Sequence, residues 1–214
     1  MKKVFYTIIA LIASFVLIGG VSAESITYST INEAVAEEIS IFGSNDNYVA
    51  EVEALKNADL SNYKMEDNKV NIYVFRGNSC PHCLDEIVWL ANNIDEIGKY
   101  ANIYTYEVWE NKSNSKLMST VAKKLKTNTS GVPFTVIGDQ YYSGFQDSIG
   151  QSMLEQVKKL YETSDRYDIK KDINLEDGTI IGENKNTSSS ATIILLVVVL
   201  IGGIALIYFV SKSK

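Results

Sequence analysis

The stretch Val70-Asn71-Ile72-Tyr73-Val74-Phe75-Arg76-Gly77-Asn78-Ser79-Cys80-Pro81-His82-Cys83 decides how this chain is read. Apart from Asn71, its first six residues are β-branched or aromatic, the composition of a buried strand. Arg76 to Ser79 reads as a turn. Behind it Cys83, Ile87, Leu90, Ala91, Ile94 and Ile97 share a helical face until Gly98 offers a stop. A cysteine therefore opens a helix directly after a strand. Thiolates, not thiols, attack disulfides, and the unpaired N–H groups of a helix N-terminus favour the thiolate. Cys80 has that position and is assigned as the nucleophile. Cys83, one turn on, faces back to it as the resolving thiol. Pro81 is tolerated because the first helical turn does not need its N–H.

His82 is the chain's single histidine. Beside a thiolate it can donate a hydrogen bond or partial positive charge, stabilising the reduced form and making the disulfide a stronger oxidant. The plainer reading is an exposed side chain. Asp85 and Glu86, in the same turn, oppose a thiolate. A structural zinc site would need four ligands, which two cysteines and one histidine in four consecutive positions do not supply, so no metal is assigned. A Cys-x-x-Cys loop also closes too little chain to act as a structural brace.

Outward from this segment, Asn102 to Trp109 reads as a second strand and Asn111 to Lys126 as a helix. Gly131-Val132-Pro133-Phe134-Thr135-Val136-Ile137 is a strand opened by one of the chain's two prolines. Gly138-Asp139-Gln140 turns it into Tyr141-Tyr142, and a last helix runs from about Asp147 to Tyr161. The order from residue 69 is strand, helix, strand, helix, strand, strand, helix. It predicts a mixed sheet, part parallel and part antiparallel. Upstream, Thr30-Ile31-Asn32-Glu33 has the form of a capping box, with Ile31, Val35, Ile39 and Phe42 on the helical face behind it. A second helix is predicted from Tyr48 to about Leu60.

Both ends are apolar. Residues 1–23 start with two lysines, continue through an apolar run and reach Val21-Ser22-Ala23, a signal peptide with cleavage after Ala23 or an uncleaved anchor. Residues 191–210 carry no charge, and at about 1.5 Å per residue they span about 30 Å, one bilayer core. The lysines of the 211–214 tail mark the cytoplasmic side, leaving residues 24–190 extracytoplasmic on a single-pass cell-membrane protein. A net charge of −6 argues against nucleic acid as a partner.

Taken together, IYVFRGNSCPHC, the strand after it and GVPFTVIGD resemble the thioredoxin superfamily over about residues 55–161. The resemblance implies an α/β thioredoxin-like fold, a central mixed sheet flanked by helices. It further implies a cis Pro133 packed against Cys80, although cis X–Pro bonds are only about 5–6% of such bonds. Val132 would then pair its backbone with an extended substrate. Pro-His between the cysteines and Val before the proline are similar to disulfide-introducing members of the DsbA type. The sequence departs from relatives in three respects. About fifty residues between motif and proline leave little room for the DsbA-type helical insert. Val74 stands where many relatives have an acidic residue, and Ser79 where an aromatic often precedes the motif.

The expected organisation is thus a signal peptide (1–23), an N-terminal helical extension (24–54), the thioredoxin-like domain (55–161), a polar stalk (162–190), a transmembrane helix (191–210) and a cytoplasmic tail (211–214). The expected activity is thiol-disulfide exchange through a redox-active Cys80–Cys83 disulfide, with no other cofactor. Its partners would be cysteine-containing exported proteins and a membrane redox protein that recycles the motif. Disulfide donation leads. A reductase fed by a membrane electron carrier, or a non-redox binding module of the same fold, are the alternatives.

Overall fold

The computed structural model describes residues 24–129 and 131–182. The signal peptide, the transmembrane helix and the tail expected from the sequence lie outside them. Among the described residues no helix is long and apolar enough to cross a membrane.

The fold is a mixed α/β arrangement built on strand β2 (Val70–Arg76), all seven residues of which are buried. That saturation follows from its central place. It pairs in parallel with β3 (Ala101–Glu107) on one side and antiparallel with β4 (Phe134–Ile137) on the other. β1 (Ser29–Thr30) adds an antiparallel edge to β3, and β5 (Gln140–Ser143) closes the other edge through a hairpin from β4. The five-strand order is β1-β3-β2-β4-β5. Gly138 in the hairpin takes φ 64°, a conformation that side chains resist.

Strand alternation sorts the core into two layers. Val70, Ile72 and Val74 face α1 (Ile31–Phe42), α2 (Val49–Asn57), α3 (Pro81–Asn92) and the last helix of the core. Tyr73 and Phe75 face the opposite way, toward Leu117, Met118 and Val121 of a helix that covers the other side. In chain order these remaining helices are α4 (Ile94–Ile97), α5 (Lys112–Lys124) and α6 (Asp147–Tyr161). From β2 to α6 the observed order matches the predicted one, apart from the short α4. α1 begins with the expected capping box. Thr30 N–H donates to Glu33 Oε2 at 2.7 Å, and Glu33 N–H donates to Thr30 Oγ1 at 3.4 Å.

Two expected boundaries change. Residues 24–54 are no appendage: β1 is part of the sheet, and Ile31, Ala34, Val35 and Phe42 of α1 lie in the same core as Leu84 and Ile87 of α3. Each large aliphatic buried there contributes about 1.5–3 kcal/mol. The polar stalk likewise does not begin at 162. Residues 162–182 fold back on the sheet, burying Ile169 and Ile173, and form a hairpin of β6 (Ile173–Asn174) and β7 (Thr179–Ile180). Asp168 accepts hydrogen bonds from Asn71 Nδ2 at 2.7 Å and from the Tyr73 hydroxyl at 2.9 Å. Isolated apolar residues in a polar stretch carry no periodicity, which is why this docking escaped the sequence pattern.

Candidate functional site

β2 ends at Arg76, and the chain turns through Gly77, Asn78 and Ser79 into α3. Gly77 is required by contact, because a Cβ there would overlap the indole of Trp109. Ser79 takes φ 61°, the left-handed conformation that completes the turn. Cys80 then caps α3. Its carbonyl accepts from Leu84 N–H at 3.0 Å, and its Sγ accepts from Cys83 N–H at 3.2 Å. Pro81 occupies the first helical position, as the sequence required.

Cys80 and Cys83 are joined in a disulfide, their Cα atoms 5.2 Å apart. Both are buried, Cys80 at 4% exposure and Cys83 at 1%, so Cys80 is the less enclosed of the two. The N–H aimed at Cys80 Sγ belongs to the first helical turn and is shared with the Cys80 carbonyl oxygen at 3.1 Å; on reduction it would stabilise a Cys80 thiolate.

On the other side of the sulfur lies the start of β4. The Val132–Pro133 peptide bond is cis, and the Val132 carbonyl oxygen is 3.8 Å from Cys80 Sγ. In the disulfide that sulfur carries no hydrogen, so this is a contact and not a hydrogen bond. Pro133 is buried, and its carbonyl accepts from Gly144 N–H at 2.8 Å. Cys80 and Val132, 52 positions apart in sequence, are thus brought together at the end of the paired strands β2 and β4.

His82 points away from the core, its side chain 72% exposed, and Nδ1 lies 3.4 Å from Asp85 Oδ2. A carboxylate this near competes with the sulfur for whatever charge the imidazole carries. Beside the pair a cleft of about 690 Å³ runs between α3 and the Phe145–Asp147 corner, with Trp89 and Phe145 in its wall.

Glu86 is placed differently from its neighbour Asp85. Read from sequence as a charge in the first turn beside the sulfur, it is 1% exposed and turned into the core. The Thr135 hydroxyl donates to Glu86 Oε1 at 2.6 Å, and among the described residues Oε2 has no hydrogen-bond partner. Burial pushes this carboxyl up to about 7, with the Thr135 hydrogen bond acting in the opposite direction. The signal was present in the sequence. Glu86 sits three residues after Cys83, on the apolar side of α3 beside Ile87.

Two further groups brace the turn. Strand alternation sends Arg76 to the α1 side, where it is 0% exposed and donates from Nη1 to Glu38 Oε1 at 3.0 Å and to Asn78 Oδ1 at 3.3 Å. Its Nη2 also pairs with Glu37. Burial raises Glu38 to about 7. Glu107, at the end of β3, accepts from the backbone N–H groups of Asn78, Trp109, Glu110 and Asn111. Burial pushes Glu107 up, but the four donors outweigh it and hold the carboxyl below its ordinary value. Trp109, 58% exposed, therefore stands fixed over Gly77 at the rim of the site. Neither the Arg76–Glu38 pair nor the Trp109–Gly77 contact has a local pattern that could have revealed it.

Comparison of the chain with known families, curated proteins and solved structures finds no match. The chemistry must be read from the site. Among the described residues no group of three or more His, Cys, Asp or Glu side chains is arranged to hold a metal ion. What the arrangement offers is a helix-capping disulfide whose Cys80 is slightly more exposed than Cys83, bordered by a cis-proline strand start.

Proposed function

We propose that the chain is a thiol-disulfide oxidoreductase of thioredoxin-like fold, exchanging disulfides with the cysteines of exported proteins through Cys80 and Cys83. One observation carries the reading: the Cys80–Cys83 disulfide caps α3 while the carbonyl of a cis Val132–Pro133 bond stands 3.8 Å from Cys80 Sγ. The order β3-β2-β4-β5, with helices on both faces, supports the thioredoxin-like assignment.

In the disulfide-donating direction a substrate thiolate attacks Cys80 Sγ. The Cys80–Cys83 bond breaks, Cys83 leaves with the electron pair, and a mixed disulfide forms on Cys80. A second substrate thiolate then attacks its own sulfur in that bond and releases Cys80. The substrate loses two electrons and the motif gains them. A membrane redox protein would return the motif to the disulfide. The Cys83 N–H at the sulfur favours Cys80 as a thiolate and hence as a leaving group, which supports donation. Val132 and Pro133 would align an extended substrate segment, and the cleft beside His82 would take one of its side chains. Residues 1–23 and 191–210 supply export and single-pass anchoring in this reading, with the site on the extracytoplasmic face.

The test is the equilibrium reduction potential of the motif against glutathione. A value near about −120 mV is expected for a donor, and one near about −270 mV would make the protein a reductase. Exchange that persists in Cys80→Ser would remove the mechanism. Full function of both serine variants in cells would leave only a binding module.

A further inference from the structure

We propose that Glu86 exchanges a proton with Cys83 inside the core each time the Cys80–Cys83 bond opens or closes; the inference rests on the redox reading above.

Cys83 is the enclosed sulfur, 1% exposed, and as the leaving group it departs as a thiolate with no solvent to protonate it. A buried charge is costly, and it is better held on Glu86, whose carboxylate keeps the Thr135 hydroxyl as a donor, so the proton passes to Cys83 from within the core. Glu86 lies three residues further along α3. Side chains at that spacing share a helical face, their Cβ atoms about 5–6 Å apart. Both are buried on the side of α3 that meets the sheet. A second anchor fixes the carboxyl from across the layer. Thr135, its hydrogen-bond donor, stands on β4 two residues after Pro133, and Val132 of the same run touches Cys80. Cys80 and Glu86 are therefore both held against the run 132–135, and Cys83 lies between them on α3.

The carboxyl is also equipped for the task. One oxygen is held by Thr135 and the other is without a partner among the described residues, free to carry or give up a proton. The remaining buried charged side chains among the described residues are Glu38 and Arg76, and they bond to each other. On α2, α4 and α6, the other helices packed on α3, no charged side chain is buried: Glu51, Glu96 and Lys158 are half-buried, and Glu53, Asp95 and Asp147 are exposed. Burial brings the carboxyl to about 7, where it can give and take a proton at neutral pH.

The step balances. As the substrate thiolate bonds to Cys80 Sγ, the S–S electron pair goes to Cys83, and the Glu86 proton follows, leaving Cys83 as a thiol and Glu86 as a carboxylate. When a disulfide is re-formed, Glu86 takes the proton back as Cys83 attacks the mixed disulfide.

The experiment is reduction of the full-length protein by dithiothreitol from about pH 5.5 to 9, each rate divided by the concentration of reductant thiolate. Wild type should lose rate as Glu86 deprotonates near pH 7. Glu86→Gln should lack that inflection and run about 10–100-fold slower at the acid end, converging with wild type at pH 9. Thr135→Val keeps the carboxyl but removes the bond that favours its ionised form, so the inflection should move to higher pH. This variant decides the matter if Glu86→Gln does not fold. A second readout is independent of turnover. In a Cys80→Ser background, the ultraviolet thiolate signal of Cys83 should titrate in two steps with Glu86 present and in one with Gln. A variant-to-wild-type rate ratio constant with pH, with single-step titration in both, overturns the role of Glu86 and leaves the redox reading standing. A wild-type disulfide that exchanges with no dithiol removes the redox reading itself.

Discussion

Replacing Glu86 with Gln should change how stability depends on pH, by an amount the structure sets. Glu86 is buried, has one hydrogen bond, and is raised from its ordinary 4.5 to about 7. Below pH 4.5 the carboxyl is neutral in both folded and unfolded chains and has no effect on stability. Between 4.5 and 7 the unfolded chain ionises while the folded one holds its proton, so stability falls as pH rises. Above 7 the folded carboxyl ionises too and the loss levels off. Each pH unit in that window is worth about 1.4 kcal/mol, and the full span about 3 kcal/mol. Gln keeps the shape and can accept from the Thr135 hydroxyl but does not titrate. Urea unfolding of the oxidised protein, followed by circular dichroism at pH 5, 6, 7 and 8, measures the effect. Glu38 is raised in the same direction and contributes to both proteins, so the difference between the two slopes is the diagnostic quantity. Wild type should lose about 2–3 kcal/mol more than the variant between pH 5 and pH 8, so that Glu86→Gln is the more stable of the two at pH 8 relative to its own value at pH 5. Parallel curves would refute the claim that Glu86 is neutral in the folded protein below pH 7.

Two other substitutions test the supports of the active-site turn. Glu38→Ala should cost about 3–5 kcal/mol in chemical unfolding at pH 8, because it strips the fully buried Arg76 of its enclosed counter-charge, and Glu38→Leu with Arg76→Met should recover much of the loss. Gly77→Ala should cost about 1–3 kcal/mol by driving Trp109 off the loop. The displaced indole should report this as a change in fluorescence, while the distant pair Asp168–Tyr73 is untouched.

The elements of the sheet were legible because each carries its own period. Val70 to Phe75 is a strand whichever neighbours it has, and α3 and α6 repeat apolar residues at helical spacing. The disulfide was legible for the same reason, since two cysteines three apart after a strand define their own geometry. Sequence reasoning failed where function depends on which way a side chain turns. His82 and Glu86 both looked like groups beside the sulfur. One is exposed against Asp85, the other sealed against Thr135. The segment 162–182 looked like a tether because Ile169 and Ile173 are too sparse to form a pattern, yet both are buried in the core layer with Tyr73 and Phe75.

By itself the sequence determined the order of strands and helices from β2 to α6, the short α4 apart, together with the capping of α1 by Thr30 and the placing of Cys80 at the head of α3. These rest on interactions within a few residues, which any local segment can satisfy. Only the tertiary structure decided that Val132 meets Cys80, that Glu38 neutralises Arg76, and that Glu86 is enclosed with Thr135. Those contacts join positions 38 to 52 residues apart. They exist because strand pairing and helix packing exclude water between surfaces that are polar in part, so that each buried polar group must take as partner whatever the opposing surface presents.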